Sequence, residues 1–215
     1  MKFLINNLRF AAYLLVLIGF QCAHAGPYDE FFAAIKRDHA NTVESVLRNG
    51  FDPNSVDEQG NPGLVLALKV GSYDAASVLL ESRRLDPEAA NPLGENALMM
   101  ACLRGQQALA ARLLKRGASV NRSGWSPLHY AASGENDSIV AWLLDRGADI
   151  DATSASGNTP LMMAAQYGAS GSVDLLLAKG ADVNRLNQLN LSAADIASQA
   201  GRDKLAALLR KRMRQ

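Results

Sequence analysis

Apolar residues along this chain fall in short runs with helical spacing, two runs to a unit, and the unit recurs. One leucine marks the recurrence at Leu64, Leu98, Leu128 and Leu161, with Ala194 in the last slot and a weaker copy at Phe31. The steps are 33, 34, 30, 33 and 33 residues in chain order from Phe31. Three or four residues after the marker comes a pair of mostly small residues: Ala67-Leu68, Ala101-Cys102, Ala131-Ala132, Ala164-Ala165. A glycine follows at Gly71, Gly105, Gly168 and Gly201, and one place earlier at Gly134. A second apolar run then ends in Val46-Leu47, Leu79-Leu80, Leu113-Leu114, Leu143-Leu144, Leu176-Leu177 and Leu208-Leu209. Four units close on glycine, at Gly50, Gly117, Gly147 and Gly180.

Each unit reads as two helices of about ten residues. Ser126-Pro127 and Thr159-Pro160 are helix starts, a hydroxyl cap followed by proline at the first helical position. The mid-unit glycine lets the chain reverse, and the closing glycine supplies a left-handed residue past a helix end. Helices this short are marginal alone in water. Neither can bury its apolar stripe without a neighbouring unit, so the units must stack.

The lines Gly157-Asn158-Thr159-Pro160-Leu161 and Ser126-Pro127-Leu128-His129-Tyr130-Ala131 resemble the G-x-T-P-L-H-x-A core of the ankyrin repeat. Arg116-Gly117-Ala118-Ser119-Val120-Asn121, Arg146-Gly147-Ala148-Asp149-Ile150-Asp151 and Lys179-Gly180-Ala181-Asp182-Val183-Asn184 resemble the line that opens its fingers. The resemblance covers roughly residues 28–212. It implies an all-α ankyrin-repeat solenoid of about six helix-turn-helix units with short β-hairpin-like fingers. Residues 26–56 would form an amino-terminal capping repeat, 57–184 the central repeats, and 185–215 a carboxy-terminal capping repeat with a basic tail. Two departures stand out. Arg83-Arg84-Leu85-Asp86-Pro87 lacks the closing glycine, so that helix end is expected to be irregular. Asn121 to Gly124 is three residues shorter than Asp151 to Gly157, which predicts a stunted finger.

Residues 1–25 are expected to be a secretory leader. Lys2 and Arg9 begin it, residues 10–20 are apolar, and Ala23-His24-Ala25 is a small-x-small cleavage line. The apolar run of 11 residues is shorter than the ~20 a membrane-spanning helix needs. Cleavage after Ala25 would deliver the chain to the periplasm or beyond it, with no integral span left. The net charge of +1 becomes about −1 once Lys2 and Arg9 are removed, and so small a charge leaves no electrostatic footprint for nucleic acid. Only Cys102 would remain, so no intrachain disulfide is expected.

Catalytic and metal chemistry lack partners. His39 and His129 lie about three units apart, too far to share a metal. His129 occupies a slot where, in the family it resembles, imidazole bonds backbone. No nucleophile elbow, phosphate loop or paired-cysteine motif is present. Asp57, Glu58 and Glu95 are expected on exposed finger tips, and Cys102 in a buried slot without an activating base. No catalytic residue, cofactor or metal is assigned, and the chain is expected to be a non-enzyme and a monomer.

The resemblance places recognition of another protein on the fingers and first helices. Positions following the small pair are Lys36, Arg37, Lys69, Val70, Leu103, Arg104, Gln166 and Tyr167; the tips include Leu93, Asn61, Asn158 and Asn187. The partner-binding set is Lys69, Leu103, Arg104, Trp125, Gln166 and Tyr167, rich in the residue types that dominate interfaces. Trp125 has two readings, a binding anchor or a side chain folded over the gap of the short finger. The lysines and arginines read as a basic stripe that suits an acidic partner, or as ordinary solvated charge. Trp142 is expected to pack. The tail Arg210-Lys211-Arg212-Met213-Arg214 complements the last helix dipole. Alternatives are a membrane-apposed adaptor, through that tail or a retained leader, and a secreted effector acting on a host protein.

Overall fold

A computed structural model describes residues 26–214 of the chain, and the expected leader lies outside the described residues. Among them are twelve α-helices in six consecutive pairs. The first helices are α1 (Pro27–Lys36), α3 (Gly63–Val70), α5 (Ala97–Leu103), α7 (Pro127–Ser133), α9 (Pro160–Gln166) and α11 (Ala193–Gln199). The second helices are α2 (Ala40–Arg48), α4 (Tyr73–Leu79), α6 (Gln107–Lys115), α8 (Asp137–Leu144), α10 (Ser170–Ala178) and α12 (Asp203–Arg212). The chain is therefore an all-α stack. Its expected fingers are present, but only two reach β geometry, each through one antiparallel bridge, Val56 to Pro62 and Ala90 to Asn96.

The starts of the first helices follow their sequence. Pro127 and Pro160 take the first helical position, where a missing N–H costs nothing. Thr159 Oγ1 accepts from Met162 N–H at 3.3 Å. Ser192 Oγ accepts from Asp195 N–H at 3.2 Å, and Asp195 Oδ2 accepts in return from Ser192 N–H at 3.1 Å. Asn96 fills the same slot in the third unit, accepting from Met99 N–H at 3.1 Å.

Each first helix packs on the next, α1 on α3 and so on to α11. The marker residues Phe31, Leu64, Leu98, Leu128, Leu161 and Ala194 are all buried in this row, with the alanines one turn on. Small side chains there bring backbones close. The mid-unit glycines show how close. Gly71, Gly105 and Gly201 are left-handed, as a chain reversal requires. Gly134 is not (φ −83°, ψ −179°). A β-carbon there would stand 2.7 Å from the Leu103 carbonyl oxygen, and one at Gly168 would overlap the Ala132 carbonyl. One sequence slot thus answers two demands, conformation in three units and close approach in two.

The breaks in the repeat are repaired by side chains. The glycine-less turn after α4 winds through Glu81 and Ser82 N–H bonds to Val78 and Leu79 carbonyls. Arg116 from the next unit donates to the Leu80 carbonyl at 2.6 Å and to that of Leu85 at 3.3 Å. Arg84 likewise reaches back to the Phe51 carbonyl at 2.6 Å. The Leu80 carbonyl is a helix-end group with no intrahelical partner; those of Leu85 and Phe51 lie in the loops that follow.

The short finger is stunted as expected. The tips at Asp57, Asn91, Ser154 and Asn187 each close by the same two bonds, for example Asp57 N–H to Asn61 O at 3.0 Å and Gly60 N–H to Asp57 O at 2.9 Å. Nothing equivalent occurs between Ala118 and Ser126 among the described hydrogen bonds.

The two kinds of glycine separate by mutation. Gly71→Ala places a β-carbon in open space at φ +83° and is expected to cost about 1–2 kcal/mol. Gly168→Ala forces two backbones apart and is expected to cost more, about 2–3 kcal/mol. Urea unfolding checks the order; the reverse ranking would contradict close approach as the role of Gly168.

Candidate recognition surface

The six residues expected to bind a partner do not form one patch. Arg104, Gln166 and Tyr167 are exposed, while Lys69, Leu103 and Trp125 are half-buried. The two charged ones are already engaged. Lys69 Nζ lies 3.1 Å from Glu95 Oε2, and Arg104 Nη2 donates to the Lys69 carbonyl at 2.6 Å. The basic stripe is therefore partly spent on holding the second and third units together. Lys36 and Arg37, at the end of α1, remain exposed.

Glu95 departs from its expected place on an exposed tip. Its carboxylate accepts from Asn91 Nδ2 at 2.7 Å, Lys69 Nζ at 3.1 Å and Tyr130 Oη at 3.1 Å. Three successive units meet at this one group. Burial pushes its pKa upward, but the three hydrogen bonds and the Lys69 charge together outweigh burial and hold it below the usual carboxylate range. Tyr130 is pushed up, by burial first and then by the Glu95 charge.

Asp57, Asn61 and Asn187, also expected at the surface, are buried. Asp57 Oδ1 accepts from Gln59 and Asn61 N–H groups at 3.0 and 2.8 Å, bending the tip around itself. Asn187 does the same for Leu189 and Leu191 at 2.9 and 3.1 Å. Adjacent fingers are then laced side chain to side chain. Asn91 Nδ2 donates to Asn61 Oδ1 at 3.1 Å, and Asn187 Nδ2 donates to Asn158 Oδ1 at 2.8 Å. The recurrence of Asp57, Asn91, Ser154 and Asn187 at the repeat spacing was the available signal for this ladder. The tips leave two leucines exposed, Leu93 and Leu189 at 73% and 76% accessible, beside the polar Glu58, Gln59, Gln188 and Asn190.

Trp125 packs inward beside the short finger, the second of its two readings. Its ring stands edge-on to His129 at 5.3 Å and to Tyr130 at 6.1 Å, with interplanar angles of 77° and 74°. It covers the gap of the short finger and in doing so walls a notch of about 130 Å³ with His129, Tyr130, Ser133 and Met163. Neither Arg104 nor Tyr167 lines this notch. Arg104 instead borders a wider, polar cleft of about 970 Å³ with Tyr73, Leu103, Glu135 and Asn136. Trp142 packs partly into the core, with the Arg146 guanidinium 4.2 Å above its ring.

His129 is scaffolding, as its slot implied. It is fully buried, and Nδ1 accepts from the Ser126 N–H at 3.2 Å, which places the proton on Nε2. Nε2–H then donates to the Asn158 carbonyl at 2.9 Å, tying the fourth unit to the fifth finger. Burial pushes its pKa down. Burial also raises the Cys102 thiol far above its ordinary value, so a thiolate is disfavoured there. Among the described residues no group of three His, Cys, Asp or Glu side chains could hold a metal ion, and no helix is long and apolar enough to cross a membrane.

Paired helices in one stacked row, with finger tips and first-helix ends presenting side chains along its edge, define a repeat scaffold for binding other proteins. The family model described as ankyrin repeats (3 copies) matches residues 31–123, 83–154, 120–187 and 148–214. The chain belongs to the ankyrin repeat family. Similar curated proteins include the mouse nuclear factor NF-kappa-B p105 subunit, 37% identical over 130 residues, covering 57% of this chain and 13% of that protein. Human neurogenic locus notch homolog protein 1 is 30% identical over 162 residues, covering 74% of this chain and 6% of that protein. Protein glp-1 of Caenorhabditis elegans is 27% identical over 193 residues, covering 82% of this chain and 15% of that protein. The chain thus spans less than a fifth of the length of these relatives.

Because the folded state holds His129 neutral with a lowered pKa, its contribution to stability is full above the unfolded pKa of about 6.5 and is lost as pH falls below it. Unfolding midpoints in urea are expected to drop as pH falls below about 6.5. In His129→Gln that part of the pH dependence disappears. An identical profile in the variant would show that the imidazole does not titrate with folding.

Proposed function

We propose that this chain binds a partner protein across its finger tips and first-helix ends, with one partner side chain seated in the notch beside Trp125, and that it does so as a monomer outside the cytoplasm. Ankyrin repeats indicate a protein–protein interaction module, and the family is generally non-enzymatic. The observation that carries the finer reading is the broken finger. A missing tip opens a small aromatic notch on an edge whose other tips display Leu93 and Leu189. Aromatic anchors of this kind supply much of an interface's energy because they bury large area at low entropic cost. The location rests on the expected leader of residues 1–25.

Crosslinking in the native compartment followed by mass spectrometry identifies the partner. Tyr167 is 62% exposed, so Tyr167→Ala leaves the fold unchanged and is expected to weaken binding. Trp125→Ala is expected to weaken it on the order of 30-fold, the scale of a hot-spot truncation. Unchanged capture by both variants would overturn the proposed surface. Recovery of the chain in the cytoplasmic fraction with its leader attached would overturn the location while leaving the surface standing.

A further inference from the structure

We propose that the outer face of the last unit docks on an anionic lipid surface, independently of the partner surface above. The inner face of α12 buries Ala206 and Leu209 in the stack, with Leu205 and Met213 half-buried behind them. Its outer face carries Lys204, Ala207, Leu208 and Lys211, at helical spacing and all exposed, and the exposed Arg214 follows just past the helix end. Beside these, Ala207, Arg210, Lys211 and Arg214 line a shallow trough of about 470 Å³.

Charge is sharply divided along the molecule. Residues 202–214 hold six basic side chains against one acidic, whereas residues 26–201 hold 14 basic against 20 acidic. Not all six are available. Arg202 is committed inward, its Nη1 donating to the Ala164 and Ala165 carbonyls at 2.8 and 3.0 Å. Arg210 shares its charge with Asp195 at 3.6 Å. Lys204, Lys211 and Arg212 make no ion pair among the described residues.

Helix polarity accounts for only part of this. Cations in the last turn complement the negative end of α12, but Lys204 sits in its first turn, where a cation opposes the dipole. Nor does polarity explain an exposed leucine, 41% accessible at Leu208, flanked one turn away on each side by Lys204 and Lys211. An apolar side chain ringed by cations fits the boundary between headgroups and acyl chains. A nucleic-acid backbone would match the cations and leave Leu208 without a partner. The acidic remainder of the stack is repelled by the same surface, so only this end would touch it. The stack would then stand off the membrane with its finger edge accessible.

The test is co-sedimentation of the full chain with phosphatidylcholine vesicles, compared with vesicles of equal parts phosphatidylcholine and phosphatidylserine. Binding is expected to increase with phosphatidylserine and to fall as salt rises. Each cation removed should weaken it about fivefold, so Lys204→Gln, Lys211→Gln and Arg214→Gln together lower it on the order of a hundredfold. The charge-conserving set Lys204→Arg, Lys211→Arg and Arg214→Lys should retain it. Association driven by residues 1–25 would be common to every variant and so drops out of the comparison. The proposal is overturned by binding that does not depend on phosphatidylserine, or that survives the glutamine set. Stronger competition by inorganic phosphate than by chloride at equal ionic strength would point instead to a free-anion site. Tighter binding to a duplex oligonucleotide than to the mixed vesicles would also overturn it.

Discussion

Close approach between successive first helices is the constraint on which this molecule depends. Among the described residues no helix exceeds ten residues, and helices of that length are not stable alone in water. Each survives because its apolar side is covered by the unit before and the unit after. Alanines one turn past the marker leucines, and glycines where a β-carbon would strike a neighbouring carbonyl, let the helices of the row approach closely. Stability is therefore held at the junctions between units rather than within any one of them.

The polar groups obey the same rule of dependence on a neighbour. Arginines reach back to cap carbonyls in the preceding unit: Arg84 to Phe51, Arg104 to Lys69, Arg116 to Leu80, Arg202 to Ala164. Residues that open the fingers bond forward. Asn54, Asn121 and Asp151 accept backbone N–H groups from Asp86, Asp149 and Asp182 at 2.8, 2.9 and 3.0 Å. Glu95 condenses the pattern, joining three units through one carboxylate. A stack built this way commits Lys69 and Arg104 to neighbouring units, and leaves Lys36, Arg37, Gln166 and Tyr167 exposed together with the apolar tips Leu93 and Leu189.

Irregularity supplies the individuality. Where the finger after Ala118 loses its tip turn, Trp125 and Tyr130 are left facing a notch rather than a neighbouring loop. Where the closing glycine is missing, Arg116 takes over its capping work. The outer face of α12 is exposed among the described residues and strongly basic. Regular positions thus build the scaffold, and the departures decide what is distinctive about its surface.

Much of the fold was legible in the residues because period, capping and turn chemistry are local. Thr159-Pro160 starts a helix wherever it stands, and a shortened segment after Asn121 cannot form a full tip. The buried place of His129 followed from its slot in the repeat. The fate of Glu95, Asp57, Asn61 and Asn187 did not. Each reads as polar and loop-borne, but burial and bonding depend on which atoms the neighbouring unit brings within 3 Å, and that distance is set by the stacking of helices some thirty residues away. The same reason separates Arg104, which donates to the preceding unit, from Tyr167, which faces solvent, though both occupy equivalent slots. Sequence by itself determined that the chain must stack and where its regularity fails. Only the tertiary structure decided which side chains the stacking consumes and which it leaves facing solvent, because a hydrogen bond between units exists only after the units have met.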